Sequence, residues 1–148
     1  MGWTTPKTWT TEPLTSLDLN THLRDNLNAL KHPPTAHATP ASTQSFSATS
    51  YQNISGTTLA LTTTGGDVMV GFLGWIRASV GFNTQIAVRL GGVDYTVAQT
   101  DHDLFVPVGG VHLLPDVSAG THSITLRARV NGGVGQVNIR QIWAREVT

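Results

Sequence analysis

Apolar and polar residues alternate along much of the chain after residue 45. Ile124, Leu126, Ala128 and Val130 are separated by polar or charged residues. Side chains of a β-strand point to opposite faces in turn, so this pattern predicts a strand with one buried face. Arg127 then faces the opposite side of that strand. The same pattern recurs at Ile86, Val88 and Leu90.

Ten segments of this kind are bounded by turn residues and are predicted to be strands. They cover residues 45–48, 52–54, 58–62, 68–80, 84–90, 93–98, 104–108, 111–114, 121–130 and 136–147. No helical pattern follows residue 32, so a scaffold of alternating strands and helices is excluded. Many short strands at close spacing are typical of sandwiches. The predicted fold is therefore mainly β, a jelly-roll-like β-sandwich preceded by an extended N-terminal arm and one short α-helix.

Glycines and a break in phase predict the details of the strand connections. Gly91-Gly92 joins two strand segments and predicts a tight hairpin. Asn131-Gly132-Gly133 predicts a second hairpin between two long strands. The apolar phase slips between Ile139 and Ile142, which predicts a β-bulge in the last strand.

One amphipathic helix precedes the strands. Leucines at helical spacing follow Thr15 and Ser16, either of which can cap the helix, and Pro33-Pro34 ends it. This stripe has three possible partners: the β-domain of its own chain, two further copies in a parallel three-helix cluster, or a groove on another protein. The stripe consists of Leu19, Leu23, Leu27 and Leu30.

The first fourteen residues form a predicted extended arm, since Pro6 and Pro13 disfavour a helix there. Trp3 and Trp9 lie in this arm, which is too short to bury them internally. Large exposed aromatic side chains indicate a docking segment. The predicted organisation is a docking arm and helix at 1–32, a linker rich in Pro, Ala and Thr at 33–45, and a jelly-roll-like domain at 46–148.

Composition narrows the classes of function. The 148 residues include nine basic and nine acidic ones, and only 12% of the chain is charged. This balance gives no electrostatic footprint for nucleic acid or an anionic membrane. No stretch approaches 18 apolar residues, and cysteine is absent, so a membrane span and a thiolate metal site are not expected. We expect no cofactor.

Candidate chemistry is sparse. Asp101-His102-Asp103 is the one local cluster of titratable residues, and it is interpreted as a polar loop rather than a metal site or general base. The remaining carboxylates are scattered, which disfavours a glycosidase pair. Trp75 and Trp143 are interpreted as core or subunit-interface residues, with carbohydrate stacking as the alternative. We therefore expect no enzymatic activity, no catalytic residue and no metal ligand.

The N-terminal 30 residues resemble a segment of small virion structural proteins of tailed bacteriophages. That family has a short Trp-containing arm followed by a helix with an Arg-Asp-Asn-Leu motif. In addition, 119–126, with the sequence Ala-Gly-Thr-His-Ser-Ile-Thr-Leu, resembles a strand entry of trimeric jelly rolls of the tumour-necrosis-factor-like type. The matching N-terminal residues are Thr8-Trp9, Glu12, Thr15, Leu19-Asn20 and Arg24-Asp25-Asn26-Leu27 through Leu30.

The resemblance implies a homotrimeric structural protein on the surface of a phage particle. A capsid decoration protein anchored by its arm is one placement, and a tail or fibre component with a host-facing jelly roll is the other. The implied partners are further copies of the chain itself and a capsid or tail protein of the phage. The implied partner-binding residues are Trp3, Trp9, Leu19, Leu23, Arg24, Leu27 and Leu30.

Overall fold

Ten strands in two antiparallel sheets form the β-domain. A computed structural model describes residues 15–24, 27, 35–39 and 42–147 of the chain. The strands are β1 (Thr35–Ala38), β2 (Gln44–Phe46), β3 (Gln52–Asn53), β4 (Leu59–Thr63), β5 (Gly66–Arg77), β6 (Thr84–Leu90), β7 (Val93–Thr100), β8 (Val106–Val117), β9 (Gly120–Val130) and β10 (Gly135–Val147).

The order of the strands defines a jelly roll. The first sheet has the order β1-β10-β5-β8, with β2 also paired to β10. The second sheet has the order β3-β9-β6-β7, with β4 also paired to β9. The chain crosses repeatedly between the two sheets, which is the arrangement of a double-sheet jelly roll. The predicted fold class, a mainly β jelly-roll sandwich, is confirmed.

The core lies between the sheets and follows the predicted alternation. Ile124, Leu126, Ala128 and Val130 of β9 are all buried, whereas Arg127 is on the outward side. The inward side chains of the first sheet pack against them. The principal ones are Val68, Val70, Phe72, Ile76, Val137, Ile142 and Ala144.

The predicted bulge in the last strand is confirmed. Asn138 pairs with Trp75 and Gln141 pairs with Leu73, so β10 carries one extra residue at this point. The extra residue changes which side chains face the core. Val137 is buried before the bulge and Ile142 is buried after it.

Two of the four Gly-Gly pairs of the chain, Gly91-Gly92 and Gly109-Gly110, have different conformations. Gly91 and Gly92 have φ of 57° and 87°, and they close the predicted hairpin between β6 and β7. Gly109 and Gly110 instead stay extended within β8, opposite Leu73 and Phe72. One continuous strand therefore replaces the two strands predicted at 104–108 and 111–114, because the backbone of β5 pairs with the glycine pair.

The predicted hairpin at Asn131-Gly132-Gly133 is wrong. The strands on either side, β9 and β10, belong to different sheets, so this segment is a corner between sheets. Phe82 fills the space beside it: a Cβ on Gly132 would lie 2.4 Å from the Phe82 ring. The glycines are needed for packing on this ring rather than for a two-strand turn.

Two expectations about the N-terminal third are also corrected. The linker predicted at 33–45 contains strand β1 and the start of β2, both paired with β10. The predicted helix is α-helical at Ser16–Asp18 and π-helical at Leu19–Arg24. Residues 25, 26 and 28–32 of that predicted helix, and the predicted arm at 1–14, lie outside the described residues.

Strand β1 starts at one end of the sandwich, and three of the loops that join the sheets lie together at the other end. Thr35 pairs with Arg145 near the end of β10, so the chain enters the domain there. At the other end, three loops at 78–83, 101–105 and 131–134 are joined by hydrogen bonds. Ser79 N donates to the carbonyl of Val134 at 3.0 Å, and Ala78 N donates to that of His102 at 2.7 Å. We call this end the loop pole.

We expect Ile124→Ala to lower the free energy of unfolding by about 2–4 kcal/mol, because it removes a fully buried side chain from a close-packed core. Urea denaturation followed by circular dichroism measures the loss. The neighbouring Ser123→Ala is the matched control, since Ser123 is exposed on the opposite side of β9, and it should change stability by less than about 0.5 kcal/mol. Equal losses in both variants would contradict the alternation of β9.

Candidate functional site

The outward side of the first sheet is apolar along β5 and β8, and Trp143 of β10 joins it between the polar residues Gln141 and Arg145. We call this surface the apolar face. The register places Trp75 of β5 beside Pro107 of β8, and Met69 beside Leu113. Trp143 of β10 lies in the same row as Gly71 and Val111. The face therefore consists of Met69, Leu73, Trp75, Pro107, Val111, Leu113 and Trp143, with Gly71 and Gly109 between them.

These side chains are exposed to a degree unusual for a soluble monomer. Val111 is 59% exposed, Leu113 49%, Leu73 45% and Trp75 40%. Isolated exposed hydrophobic residues are common on protein surfaces, but a contiguous patch marks an interaction site. The apolar face is the candidate functional surface of the domain.

Gly71 allows the indole of Trp143 to lie directly on the sheet. A Cβ built on Gly71 would lie 2.0 Å from the Trp143 ring, which is closer than two atoms can approach. The missing side chain lets the ring cover the backbone of β5. This packing keeps the apolar face flat at its centre.

The outward side of the second sheet has the opposite character. Its residues carry hydroxyl, amide and charged groups, and we call it the polar face. On it, Arg127 and Arg89 both bind Asp94 Oδ2, at 2.6 and 3.1 Å. The polar face consists of Tyr51, Asn53, Thr62, Gln85, Arg89, Asp94, Thr96, Gln99, Thr121, Ser123, Thr125, Arg127 and Arg129.

This contrast identifies the outward face that is better suited to contact with another apolar surface. Water solvates the polar face well, whereas the apolar face gains free energy when another apolar surface covers it. On the outward side of the first sheet, the charged residues of β5 and β10 lie toward the ends of the strands. They are Asp67, Arg77 and Arg145. An apolar centre with charges at its margin is the usual anatomy of a protein–protein interface.

Three of the seven partner-binding residues predicted from the sequence lie outside the described residues: Trp3, Trp9 and Leu30. The side chain of Leu19 is also outside the description.

The remaining predicted residues are in the described helical segment. Leu23 and Leu27 are 54% and 55% exposed, so neither is buried against the β-domain of its own chain. Arg24 donates to Asn20 Oδ1 at 3.4 Å, one helical turn away. Their part in binding a partner stays a prediction.

Trp75 is not a core residue, because its ring lies on the outward side of β5, and Trp143 is only partly buried there. The interpretation of Trp75 and Trp143 as subunit-interface residues stays a prediction. Sequence reasoning missed the rest of the apolar face. The sequence did carry a signal for it. Apolar residues recur at every second position at Leu73 and Trp75 and again at Val111 and Leu113, which gives each of these strands a second apolar side beside the one that faces the core.

The Asp101-His102-Asp103 segment lies in a loop with all three residues exposed. Within residues 15–24, 27, 35–39 and 42–147, no group of three or more His, Asp or Glu side chains is placed to hold a metal ion. In the same part of the chain, no helix has the length and hydropathy needed to cross a membrane.

No protein-family model and no characterised protein sequence matches the chain. Similar solved structures include the PRD1 vertex protein, with 13% identity, a TM-score of 0.49, and coverage of 78% of this chain and 98% of that one.

Murine APRIL gives 12% identity, a TM-score of 0.48, and coverage of 77% and 99%. A structure of infectious bursal disease virus, Gx strain, has 12% sequence identity and a TM-score of 0.45. The match covers 78% of this chain and 32% of that one. The jelly-roll assignment rests on the strand order of the chain itself.

We expect Gly71→Ala to displace the Trp143 ring and to lower stability by about 1–3 kcal/mol through overpacking. Tryptophan fluorescence detects the displacement, and urea denaturation measures the loss. Gly110→Ala on the adjacent strand is the control: its Cβ would lie 3.5 Å from the Phe72 ring, an ordinary contact, so stability should change by less than about 1 kcal/mol. Unchanged emission in Gly71→Ala would show that the indole does not cover the glycine.

Proposed function

We propose that the protein is a non-enzymatic structural component of a virion that assembles as a homotrimer through the apolar face. The observation that carries this proposal is the contrast between the two outward faces of the sandwich. A second copy of the chain is a suitable cover, because it offers an apolar surface of the same composition. Each large apolar side chain that becomes fully buried contributes about 1.5–3 kcal/mol.

The N-terminal segment supports the same assembly. Strand β1 is the edge strand of the first sheet, and His37 pairs with Trp143. The chain therefore enters the domain beside the apolar face. An arm carrying Trp3 and Trp9 and a helix with a leucine stripe precede this point in the sequence. We propose that the arm anchors the trimer to a partner on the particle and that Leu19, Leu23, Arg24, Leu27 and Leu30 extend the contact.

Capsid decoration is the placement that we favour. The chain has a single small domain and no shaft repeat, and its docking segment comes before the domain. A decoration protein stabilises a shell because it binds a site that exists only in the assembled state. The resemblance of the N-terminal residues to phage virion proteins supports the phage particle as the location.

A tail or fibre component is the second candidate, and the loop pole favours it. Val80 is 76% exposed there, and Leu104 is 74% exposed, on loops that hydrogen bonds hold together. Phe82 and Val134 are exposed on the same loops. A rigid apolar tip that points away from the start of β1 suits contact with a host surface.

We expect the purified protein to have a mass three times 15.8 kDa in size-exclusion chromatography with light scattering. Val111→Glu should convert it to a monomer, because a carboxylate buried at the interface loses its hydration without gaining a partner. Val111 is exposed in a single chain, so the variant should keep its fold, and a thermal melt checks this.

Ser123→Glu on the polar face is the matched control for Val111→Glu and should remain trimeric. A monomeric parent protein would contradict assembly through the apolar face. A dimer would contradict the threefold part of the proposal.

Deletion of residues 1–14 should leave a soluble trimer that no longer binds particles. The full chain, added to expanded empty capsids, should bind them and raise their melting temperature, which calorimetry measures. If the truncated trimer still decorates the capsids, the arm is not the anchor. If the full chain does not bind at saturating concentration, the decoration placement is wrong, and immunogold labelling at the tail would then support the second candidate.

A further inference from the structure

The polar face contains an open groove that the proposed assembly does not use. Its volume is about 640 Å³, and its walls come from three strands of the second sheet, β3, β6 and β9, and the β6–β7 hairpin. A second groove of about 660 Å³, beside β2 and β3, shares Asn53 and Arg127 with it. Together they form a continuous polar path across the sheet, which we call the arginine groove.

Arg127 is fixed at the middle of this path. Its Nη1 donates to Asp94 Oδ2 at 2.6 Å, and its Nη2 donates to the carbonyl of Tyr51. Arg89 Nη1 donates to the same carboxylate oxygen at 3.1 Å. Two guanidinium groups therefore share one carboxylate, and the cluster keeps a net positive charge. The hydrogen bond to Asp94 occupies only part of the five-donor fork of Arg89.

Hydroxyl groups line the wall along β9. Thr121, Ser123 and Thr125 occupy successive outward positions of that strand. Thr121 and Thr125 are oriented by hydrogen bonds of 2.9 Å to threonines of the neighbouring chain segment, Thr62 and Thr58. The wall thus presents fixed donors and acceptors at a spacing set by the strand.

The hairpin leaves one end of the groove open. Gly91 and Gly92 form its turn, and a Cβ on Gly91 would meet no atom within 4 Å. A chain-like ligand can therefore extend past the hairpin. Arg89, beside this turn, is positioned at the entrance.

We propose that the arginine groove binds an acidic oligosaccharide, with the carboxylate of a sugar residue at the more exposed Arg89, the positive charge of Arg127 behind it, and the sugar hydroxyls along β9. Guanidinium groups bind carboxylates in a planar, two-pronged geometry. The hydroxyl and amide lining matches the many donors and acceptors of a sugar chain. The length of the double groove suits several linked residues rather than one.

The lining disfavours two other ligands. Neutral sugars generally need an exposed Phe, Tyr or Trp ring to stack on. None of these is among the described residues lining the 640 Å³ groove, and Phe46, which lines the 660 Å³ groove, is buried. An acidic peptide would be expected to pair with an unpaired strand edge. The 640 Å³ part of the groove instead lies on the face of the sheet, where β9 is paired with β6 on one side and with β3 and β4 on the other.

Isothermal titration calorimetry with a short oligogalacturonate tests this proposal on the full chain. We expect binding that weakens as salt is added, and no measurable binding of an uncharged malto-oligosaccharide of equal length. Arg89→Gln should weaken binding about tenfold or more, as expected for loss of a charge-assisted hydrogen bond. Ser123→Trp, which fills the groove without changing its charge, should abolish binding.

Arg129→Gln is the matched control. Arg129 lies on the same face and carries the same charge, but its guanidinium stacks on Tyr51 at 4.7 Å and lines neither groove. It should weaken binding less than about twofold, because its guanidinium is held by Gln85 and Tyr51 and makes no wall of either groove.

Three outcomes would overturn the proposal: no binding of oligogalacturonate, equal losses in Arg89→Gln and Arg129→Gln, or unchanged binding in Ser123→Trp. Equal binding of an oligoglutamate would assign the groove to an acidic peptide instead. Each of these measurements uses isolated protein and does not depend on particle binding. A negative result for sugar binding would therefore leave the proposed structural role unaffected.

Discussion

The extra residue in β10 is the constraint on which both sheets depend. It lets Val137 and Ile142 face the same core although their positions differ by an odd number, which in a regular strand would place them on opposite sides. It also turns Arg140 into the interior, where the guanidinium donates to the carbonyls of Ser42, Val137 and Ser55. These carbonyls belong to the β1–β2 connection, to β10 and to the segment after β3. Burial lowers the pKa of Arg140, and carbonyl dipoles rather than a carboxylate compensate its charge among the described residues.

How much the sequence predicts depends on whether the deciding contact is local. The alternation of β9, the hairpin at Gly91-Gly92 and the bulge in β10 are local patterns, and each is predicted correctly. Gly109-Gly110 has nearly the same flanking residues as Gly91-Gly92, yet it stays extended because β5 pairs with it from 36 or more residues away. Strand β1 was missed for the same reason, since four weakly strand-forming residues are held by β10.

The two outward faces show a second limit of sequence reasoning. Alternation tells which residues of a strand share a side, but an apolar run such as that of β5 leaves open which side faces the core. Leu73 and Trp75 face outward because Phe72 and Ile76 fill the interior. The arginine groove is harder still: Arg89 and Asp94 meet across one hairpin, but Arg127 joins them only through the β6–β9 register. For the docking arm, the sequence remains the sole guide.

The separation between the start of β1 and the loop pole has a practical consequence for engineering. A peptide inserted at Gly81, where added atoms would meet nothing within 4 Å, would project from the end of the sandwich opposite the start of β1. Neither the apolar face nor the pairing of β1 with β10 would be disturbed. The fold therefore separates the end where the chain enters the domain from an end that can present a foreign peptide.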